Sequence, residues 1–294
     1  MSRGIECRGA PRDLGFDQGV ARAWDVAAFV SRHAPGPLAA RVERDVWRHF
    51  PHLAERSAGL ARGARVSRRS LVRALEAELG LGAPPPSDGI ALGLASERTP
   101  SGARLVRVLP EGFLLRRSLP DSGYASFEVT LPALPGALAG VNEAGLAAAV
   151  RTLPVQEPGP CAAPAFLLAQ HCLQHFDTVE KAVDWCLRRP SGGRASLLFA
   201  DERVQQGVLL EPERRTHLHG ADGLLLAPDP SPGRLPLEKD LAATRILDGA
   251  IVRRILHDRP GVEVWLDPAA RRVGLLEGPA VEPGPEGVRY LPLR

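Results

Sequence analysis

The sequence has few cysteines, almost no surplus of charge and no long apolar run. Its four cysteines include no Cys-x-x-Cys pair, which argues against a zinc ribbon or a dithiol redox motif. A formal net charge of +3 over 294 residues is too small to indicate a nucleic-acid-binding surface. No apolar run reaches the roughly 18 residues that span a bilayer, and no apolar stretch follows the basic N-terminal residue as in a secretory signal. We therefore expect a cytoplasmic protein with reduced thiols that binds neither nucleic acid nor membrane.

Motifs of several common catalytic sites are also absent. The chain has no G-x-x-x-x-G-K-[ST] phosphate loop, no G-x-G-x-x-G after a strand, no G-x-S-x-G elbow and no H-E-x-x-H. These absences argue against a nucleotide-binding enzyme, a serine hydrolase of the elbow type and a zincin. The sequence therefore indicates no cofactor.

Two pairs of histidines have spacings that could hold a metal ion. His171 and His175 share one face of a predicted helix, and His217 and His219 share one face of a predicted strand. No acidic or third partner is evident for the helical pair, so an exposed helix surface explains it more simply. A solvated strand face explains the second pair, and the sequence predicts no metal site.

Hydrophobic periodicity predicts the order of helices and strands in an ordinary globular chain, of which 44% is hydrophobic and 24% charged. The first eighty residues have helical spacing, and a loop rich in proline and glycine follows at 80–89. Alternating apolar residues then predict a β-hairpin over 90–109. The remaining predicted elements are strands at 124–131 and 145–152, two helices within 163–187, four adjacent antiparallel strands within 196–226, a helix within 239–257 and a hairpin over 262–276. This order predicts an α+β layered domain.

One segment is distinctive. The stretch Gly140-Val-Asn-Glu-Ala-Gly-Leu146 resembles the G-[MVL]-N-E-x-G-L signature of acyl-coenzyme A:6-aminopenicillanic acid acyltransferases and their self-cleaving amidase relatives. The stretch from Gly9 to Gly19 is similar to that family's N-terminal G-x-P-x-x-x-G-x-x-x-G segment. Within the signature, Gly140 and Gly145 permit a tight connection, and the Asn142 side chain can hydrogen-bond the backbone of its own loop. These three residues are expected to have structural roles.

The resemblance implies the fold of an N-terminal-nucleophile hydrolase, a four-layer αββα sandwich. Residues 87–294 would form the sandwich, residues 1–86 would form a helical region like the family's pro-segment, and the two would make one compact unit. In the family, a cysteine freed by self-cleavage begins the first strand of the sandwich. That position falls between Ser87 and Gly89 here, and the cysteine is missing. Ser87 is the one side chain in this window that could attack a carbonyl.

Other catalytic positions of the family are altered too. The family's Asn-x-Asp falls near Leu109-Pro-Glu111, which keeps one carboxylate, Glu111, and loses the amide. Its polar His-Thr-Asn segment falls near 225–228, which is apolar. An oxyanion hole built from side-chain amides would lack donors here, a loss that costs about 10²–10³ in rate in other acyl-transfer enzymes.

Two functions from different classes are consistent with these features. The favoured one is a relative that has lost self-cleavage and catalysis and acts as a binding or interaction module for a small-molecule or peptide-like ligand. The alternative is an active amide hydrolase or acyltransferase, cleaved between Pro86 and Ser87, in which the freed amine of Ser87 acts as general base. In that alternative Glu111 or Arg107 would orient a substrate carboxylate.

Several arginines are candidates to bind an acidic ligand. Arg107 and Arg151 are the predicted substrate-binding residues. Arg116 and Arg117 could also present cations, although a solvated surface is the default for such side chains. A homo-oligomer remains an open alternative.

Overall fold

The computed structural model describes residues 4–32, 44, 46–78, 89–100, 102–109, 112–153, 163–228, 234–256, 261–276 and 289–292. The predicted nucleophile Ser87, with Pro86, and the predicted carboxylate Glu111 lie outside these residues. The helices are α1 Pro11–Ala21, α2 Ala23–Arg32, α3 Pro51–Gly63, α4 Arg68–Glu78, α5 Ala165–His175, α6 Val179–Arg188, α7 Arg234–Ala243 and α8 Gly249–Leu256. The strands are β1 Gly4–Gly9, β2 Ala91–Leu94, β3 Arg104–Leu109, β4 Leu114–Pro120, β5 Ser126–Thr130, β6 Ala139–Asn142, β7 Ala147–Leu153, β8 Arg194–Ala200, β9 Gln205–Leu210, β10 Arg215–His219, β11 Leu224–Leu226, β12 Val262–Asp267, β13 Arg272–Leu276 and β14 Arg289–Pro292.

The described strands form two sheets. The first sheet has eight strands in the order β1-β4-β5-β6-β7-β8-β9-β10, and the second has six in the order β11-β2-β3-β12-β13-β14. All neighbours are antiparallel except β1 and β4, which run parallel. The predicted hairpins β2–β3 and β12–β13 are confirmed. The prediction of four adjacent strands after residue 195 is wrong for the last one, because β11 leaves the first sheet and pairs with β2.

The two sheets lie face to face between two layers of helix. Helices α5 and α6 pack on the outer face of the first sheet, mainly against β6 to β10. Apolar residues of α7, α8 and the segment between them, such as Leu241, Leu247 and Val252, form a cluster with outward-facing residues of the second sheet, such as Val106 and Trp265. The larger core lies between the sheets and under α5 and α6. The α+β, four-layer αββα sandwich is therefore confirmed.

The N-terminal region covers the same outer face as α5. Helices α1 and α3 cross closely: a Cβ on Gly15 would lie 1.8 Å from the Arg56 carbonyl oxygen, and one on Gly59 would lie 1.9 Å from that of Arg12. Only glycine permits this backbone approach. Strand β1 was missed by the helical prediction for this region. Its six residues are too few for a clear alternating pattern, and its parallel partner β4 is more than a hundred residues away along the chain.

None of the described helices combines the length and the apolar character that a membrane-spanning helix needs.

Candidate functional site

The N-terminal end of β2 is where the resemblance places the reacting group. Gly89, just before this strand, has φ of +141°, a conformation that side-chain-bearing residues rarely adopt. A Cβ at this position would lie 2.4 Å from the Val108 carbonyl oxygen and 2.9 Å from Nη1 of Arg107. Position 89 therefore has no room for a nucleophilic side chain. The window predicted to hold the nucleophile also contains the two residues before Gly89, and both lie outside the described part of the chain.

Arg107 occupies the space between the sheets beside Gly89. It lies on β3, its side chain is fully buried, and its Nε donates to the Val150 carbonyl of β7 at 2.6 Å. Its Nη1 donates to the carbonyls of Ile90 at 3.0 Å and Val108 at 2.5 Å. These contacts join the first strands of the second sheet to the first sheet. They are strong, because charged donors make stronger hydrogen bonds than neutral ones. The structure brings this predicted ligand-binding residue to the expected end of the sandwich.

Arg151 lies on the face of β7 that is turned toward the second sheet. It is 5% exposed, and its Nη1 donates to the Pro228 carbonyl, two residues beyond β11, at 3.2 Å. Ser196 on β8 stands opposite Arg151 in the sheet register and is fully buried. Its hydroxyl has no hydrogen-bond partner among the described residues. Both predicted substrate-binding arginines therefore lie at one end of the space between the sheets.

Ser196 is a polar residue of this region that the sequence analysis missed. Its position inside the apolar strand Ala195–Ala200 was the available signal, since a mid-strand serine among buried residues needs a partner. A serine hydroxyl is a weak nucleophile without an adjacent base, and the structure gives Ser196 no such hydrogen bond among the residues it describes.

The signature segment forms the turn between β6 and β7. Asn142 Oδ1 accepts from the Leu146 backbone N–H at 2.8 Å, and its Nδ2 donates to the carbonyls of Leu173 at 2.9 Å and Phe176 at 2.8 Å at the end of α5. Gly145 has φ of +94°, and a Cβ there would lie 3.3 Å from the Pro268 carbonyl oxygen. Gly140 lies on β6 against Leu173. All three residues of the signature thus serve the connection and its packing.

A second group of buried charges lies on the outer face of the first sheet, beneath the helices. Arg116 Nε donates to Glu128 at 2.5 Å, and Arg56 Nη2 lies 3.6 Å from the same carboxylate oxygen. Gln18 of α1 and Gln170 of α5 accept from the two terminal nitrogens of Arg116. The suggestion that Arg116 presents its charge to an acidic ligand is therefore wrong, because helices cover it and side chains bind it on every side. Arg117 is partly exposed and pairs with Glu6 at 2.9 Å.

Burial and pairing determine the protonation states of this outer cluster. Burial by itself would raise the pKa of Glu128, but the neighbouring Arg116 and Arg56 outweigh it and lower that pKa to about 2. Burial raises the pKa of the nearby Cys7 thiol on β1 to about 11, despite the same two arginines. Cys7 is thus a protonated, fully buried thiol at neutral pH and has no thiolate character. Cys7 therefore does not replace the missing catalytic cysteine.

The part of the chain that carries the signature turn also carries the buried Arg107, Arg116 and Arg151. Residues 104–218 match the family model of acyl-coenzyme A:6-aminopenicillanic acid acyl-transferase. This confirms the resemblance. The matched stretch covers about two fifths of the chain and runs from β3 into β10, so it includes nearly all of the first sheet except β1, together with α5 and α6. The αββα sandwich agrees with the N-terminal-nucleophile architecture that the resemblance to this acyltransferase family implies.

Solved structures are similar to larger parts of the chain at low identity. Penicillin V acylase from Agrobacterium tumefaciens is 15% identical, with a TM-score of 0.47, over 70% of this chain and 86% of that one. An N-acylethanolamine-hydrolyzing acid amidase ortholog from Caenorhabditis elegans is 11% identical, with a TM-score of 0.48, over 61% of this chain and 93% of that one. A mutant form of conjugated bile acid hydrolase from Clostridium perfringens is 11% identical, with a TM-score of 0.46, over 69% of this chain and 92% of that one. No match was found among curated proteins.

Proposed function

We propose that this chain is a relative of the acyl-coenzyme A:6-aminopenicillanic acid acyl-transferases that stays uncleaved, has lost catalysis and uses the sandwich as a binding module. The contact of Gly89 with Val108 and Arg107 carries the proposal. Position 89, two residues before the first residue of β2, accepts no side chain, because backbone and a buried guanidinium fill its surroundings. A nucleophile would have to act from further upstream.

The environment of that position supports the same proposal. The inward-facing residues of β2 and β3 near Gly89 are Ala91, Arg107 and Leu109, none of which can attack a carbonyl. Self-cleavage also needs donors for the developing oxyanion. Leu225 and Ala227, where the family has polar residues, are buried apolar side chains. Arg107 and Arg151 place positive charge between the sheets. We therefore propose that the ligand of this module carries a carboxylate and that Arg151 of β7 binds it.

Mass spectrometry of the intact, freshly purified chain tests this proposal most directly. We expect one species of about 31.5 kDa, the mass of the unbroken chain. Two fragments that meet at Pro86–Ser87 would overturn the proposal and establish the serine-dependent hydrolase or acyltransferase as the function. The Ser87→Ala variant is the matched control, because it abolishes cleavage only if Ser87 is the nucleophile.

A turnover assay separates loss of cleavage from loss of activity. We expect no product from 6-aminopenicillanic acid and an acyl-coenzyme A, the pair that the family's name describes, and no difference between wild type and Ser87→Ala. Product formation that disappears in Ser87→Ala would contradict the proposal even if the chain were intact.

A further inference from the structure

Three histidines from two helices meet at the surface of the outer helical layer. His171 and His175 lie one turn apart on α5, with their ring centroids 4.3 Å apart. His52, near the start of α3, brings its Nε2 to 3.3 Å from Nδ1 of His171. Each of the three offers one ring nitrogen such that all three nitrogens lie within 4.8 Å of one another. The helical spacing of His171 and His175 predicts an exposed helix surface without a third partner, and this prediction is wrong, because His171 is partly buried and α3 supplies the third imidazole.

The spacing of these nitrogens suits a tetrahedral transition metal. Zinc binds histidine nitrogen at about 2.0–2.1 Å, so two imidazole nitrogens in a tetrahedral site lie about 3.3–3.4 Å apart. The pair of His52 and His171 already has this separation, at 3.3 Å. His175 is exposed, so rotation of its ring can bring its nitrogen the remaining distance.

The surroundings hold two of the rings in place. His171 stacks on Trp185 of α6, with centroids 4.3 Å apart and planes 12° apart. Phe50 packs edge-on against His171 at 6.0 Å and tilted against His52 at 6.2 Å. An apolar shell of this kind limits rotation of the ligands and keeps bulk water away from one side of a metal. The preorganised pair then needs only one side chain to move.

The imidazoles also have the required protonation state. Burial, followed by the neighbouring His175 and Arg56, lowers the pKa of His52 to about 4. Burial, with the other two histidines and Arg189, lowers the pKa of His171 to about 3, and burial lowers the pKa of His175 as well. At neutral pH each ring is uncharged and keeps one lone pair for a metal.

We propose that His52, His171 and His175 bind one Zn²⁺ ion and so join the N-terminal helix α3 to helix α5 of the sandwich. Three imidazole nitrogens occupy three positions of the tetrahedron, and a water molecule takes the fourth. Imidazole ligands without thiolate or carboxylate suit zinc, copper and nickel, so Ni²⁺ and Cu²⁺ are also expected to bind. This site is separate from the space between the sheets and does not depend on the function proposed above.

The chain contains a natural control for this proposal. His217 and His219 on β10 are another close pair, with ring centroids 3.9 Å apart. His217 bonds to Gln206 on the neighbouring strand, and the described residues contain no third metal ligand near this pair. A His217→Ala variant removes a histidine pair of similar geometry and leaves the proposed site untouched.

Isothermal titration of metal-stripped, full-length protein with ZnCl₂ is the test. We expect one Zn²⁺ per chain in the wild type and in His217→Ala, with equal affinity. His175→Ala and His52→Leu should each weaken binding by at least about tenfold, since even changes outside the ligand set cost about 10–100-fold. His175 is exposed, so its variant is expected to fold normally, and circular dichroism checks this. Titration with Co²⁺ should give the intense visible absorption of tetrahedral cobalt in the wild type and lose it in His175→Ala.

Three results would overturn the proposal. These are no stoichiometric Zn²⁺ binding by the wild type, equal binding by wild type and a folded His175→Ala variant, or loss of binding in His217→Ala. If His52→Leu does not fold, the His175→Ala arm and the cobalt spectrum still decide the outcome.

Discussion

The two faces of the first sheet bury arginine in different ways. On the outer face, Arg116 and Arg56 surround the carboxylate of Glu128, and amide side chains from α1 and α5 complete the network. On the inner face, Arg151 of β7 and Arg107, which reaches this face from β3 of the second sheet, donate hydrogen bonds to backbone carbonyls. Carbonyl dipoles satisfy the donors of a guanidinium, whereas a carboxylate also offsets its charge.

This difference agrees with a structural role for the outer arginines and with the binding role proposed for the inner ones. The outer network joins β4, β5, α1, α3 and α5, so it holds the N-terminal region on the sandwich. The inner arginines place positive charge at the end of the sandwich where the family resemblance places the ligand. Breaking the outer network should therefore mainly affect stability, whereas breaking the inner contacts should have a smaller effect on stability and, under the function proposed above, should also weaken ligand binding.

The largest expected effect comes from Glu128→Gln. This variant keeps the shape of the side chain but leaves two buried guanidinium groups without a carboxylate, and we expect the free energy of unfolding to fall by about 3–5 kcal/mol. Urea denaturation measures this fall in the free energy of unfolding. Glu6→Gln is the matched control, because Glu6 pairs with the partly exposed Arg117 and the exposed Arg8, and such pairs contribute less than about 1 kcal/mol. Equal losses in the two variants would contradict the assignment of the outer network as the structural one.

A rescue experiment sharpens this result. Two nitrogens of buried Arg56, Nε and Nη1, have no hydrogen-bond partner among the described residues. Adding Arg56→Met to Glu128→Gln removes the less well satisfied of the two cations, so the double variant should recover part of the lost stability.

Acid should weaken the outer network in a defined pH range. The pKa of Glu128 is about 2 in the folded protein against an ordinary value of 4.5, so the unfolded chain takes up this proton first as the pH falls. The ionised Glu128 carboxylate therefore contributes about 3 kcal/mol to the free energy of unfolding. This contribution is fully present above pH ~4.5 and is lost as the pH falls toward 2. The groups that face this carboxylate are Arg116 and Ser118 of β4, Ser126 of β5, Arg56 of α3, Gln170 of α5 and Cys7 of β1.

Urea denaturation between pH 2.5 and 6 checks this prediction. The stability of the wild type should rise with pH from 2.5 to about 4.5, and the slope over this interval should be smaller in Glu128→Gln. Identical slopes would show that Glu128 is not the titrating group.

On the inner face, Arg107→Met should cost about 2–3 kcal/mol. The substitution fills the space but leaves the buried Val150 carbonyl without its charged donor, at about 1–3 kcal/mol for an unsatisfied buried group. The Ile90 carbonyl also loses this donor but still accepts from the Val108 backbone N–H at 2.8 Å. Thermal and urea unfolding measure the loss, with Arg117→Met, at a partly exposed arginine of β4, as control. A loss larger than that of Glu128→Gln would reverse the ranking of the two faces.

The turn between β6 and β7 touches both faces and gives the smallest expected effect. Gly145→Val places a branched side chain at φ of +94°, which costs about 1–3 kcal/mol. Ala144→Val, one residue earlier and only half-buried, should stay within about 0.5 kcal/mol of wild type. An unchanged melting temperature for Gly145→Val would mean that the turn does not need glycine.

Local patterns in the sequence were enough to predict many of the elements. The alternation at Ile90, Leu92 and Leu94 predicted the β2–β3 hairpin, and the helical spacing of Leu168, Cys172 and Phe176 predicted α5. The turn at Asn142 could be predicted because an asparagine side chain forms hydrogen bonds with backbone groups only a few residues away. Each of these features depends on neighbours along the chain, which the sequence contains directly.

The tertiary structure decided where distant elements meet. Strand β1 needs β4, strand β11 needs β2, and His52 reaches His171 across 119 residues, so no local spacing indicates these partners. The same limit applies to charge. The sequence shows an arginine at 107 and another at 116 on consecutive strands, but not that one meets carbonyls between the sheets and the other a carboxylate under the helices. Burial of an ionised group depends on what long-range packing places beside it, and that information is not contained in the residues next to it.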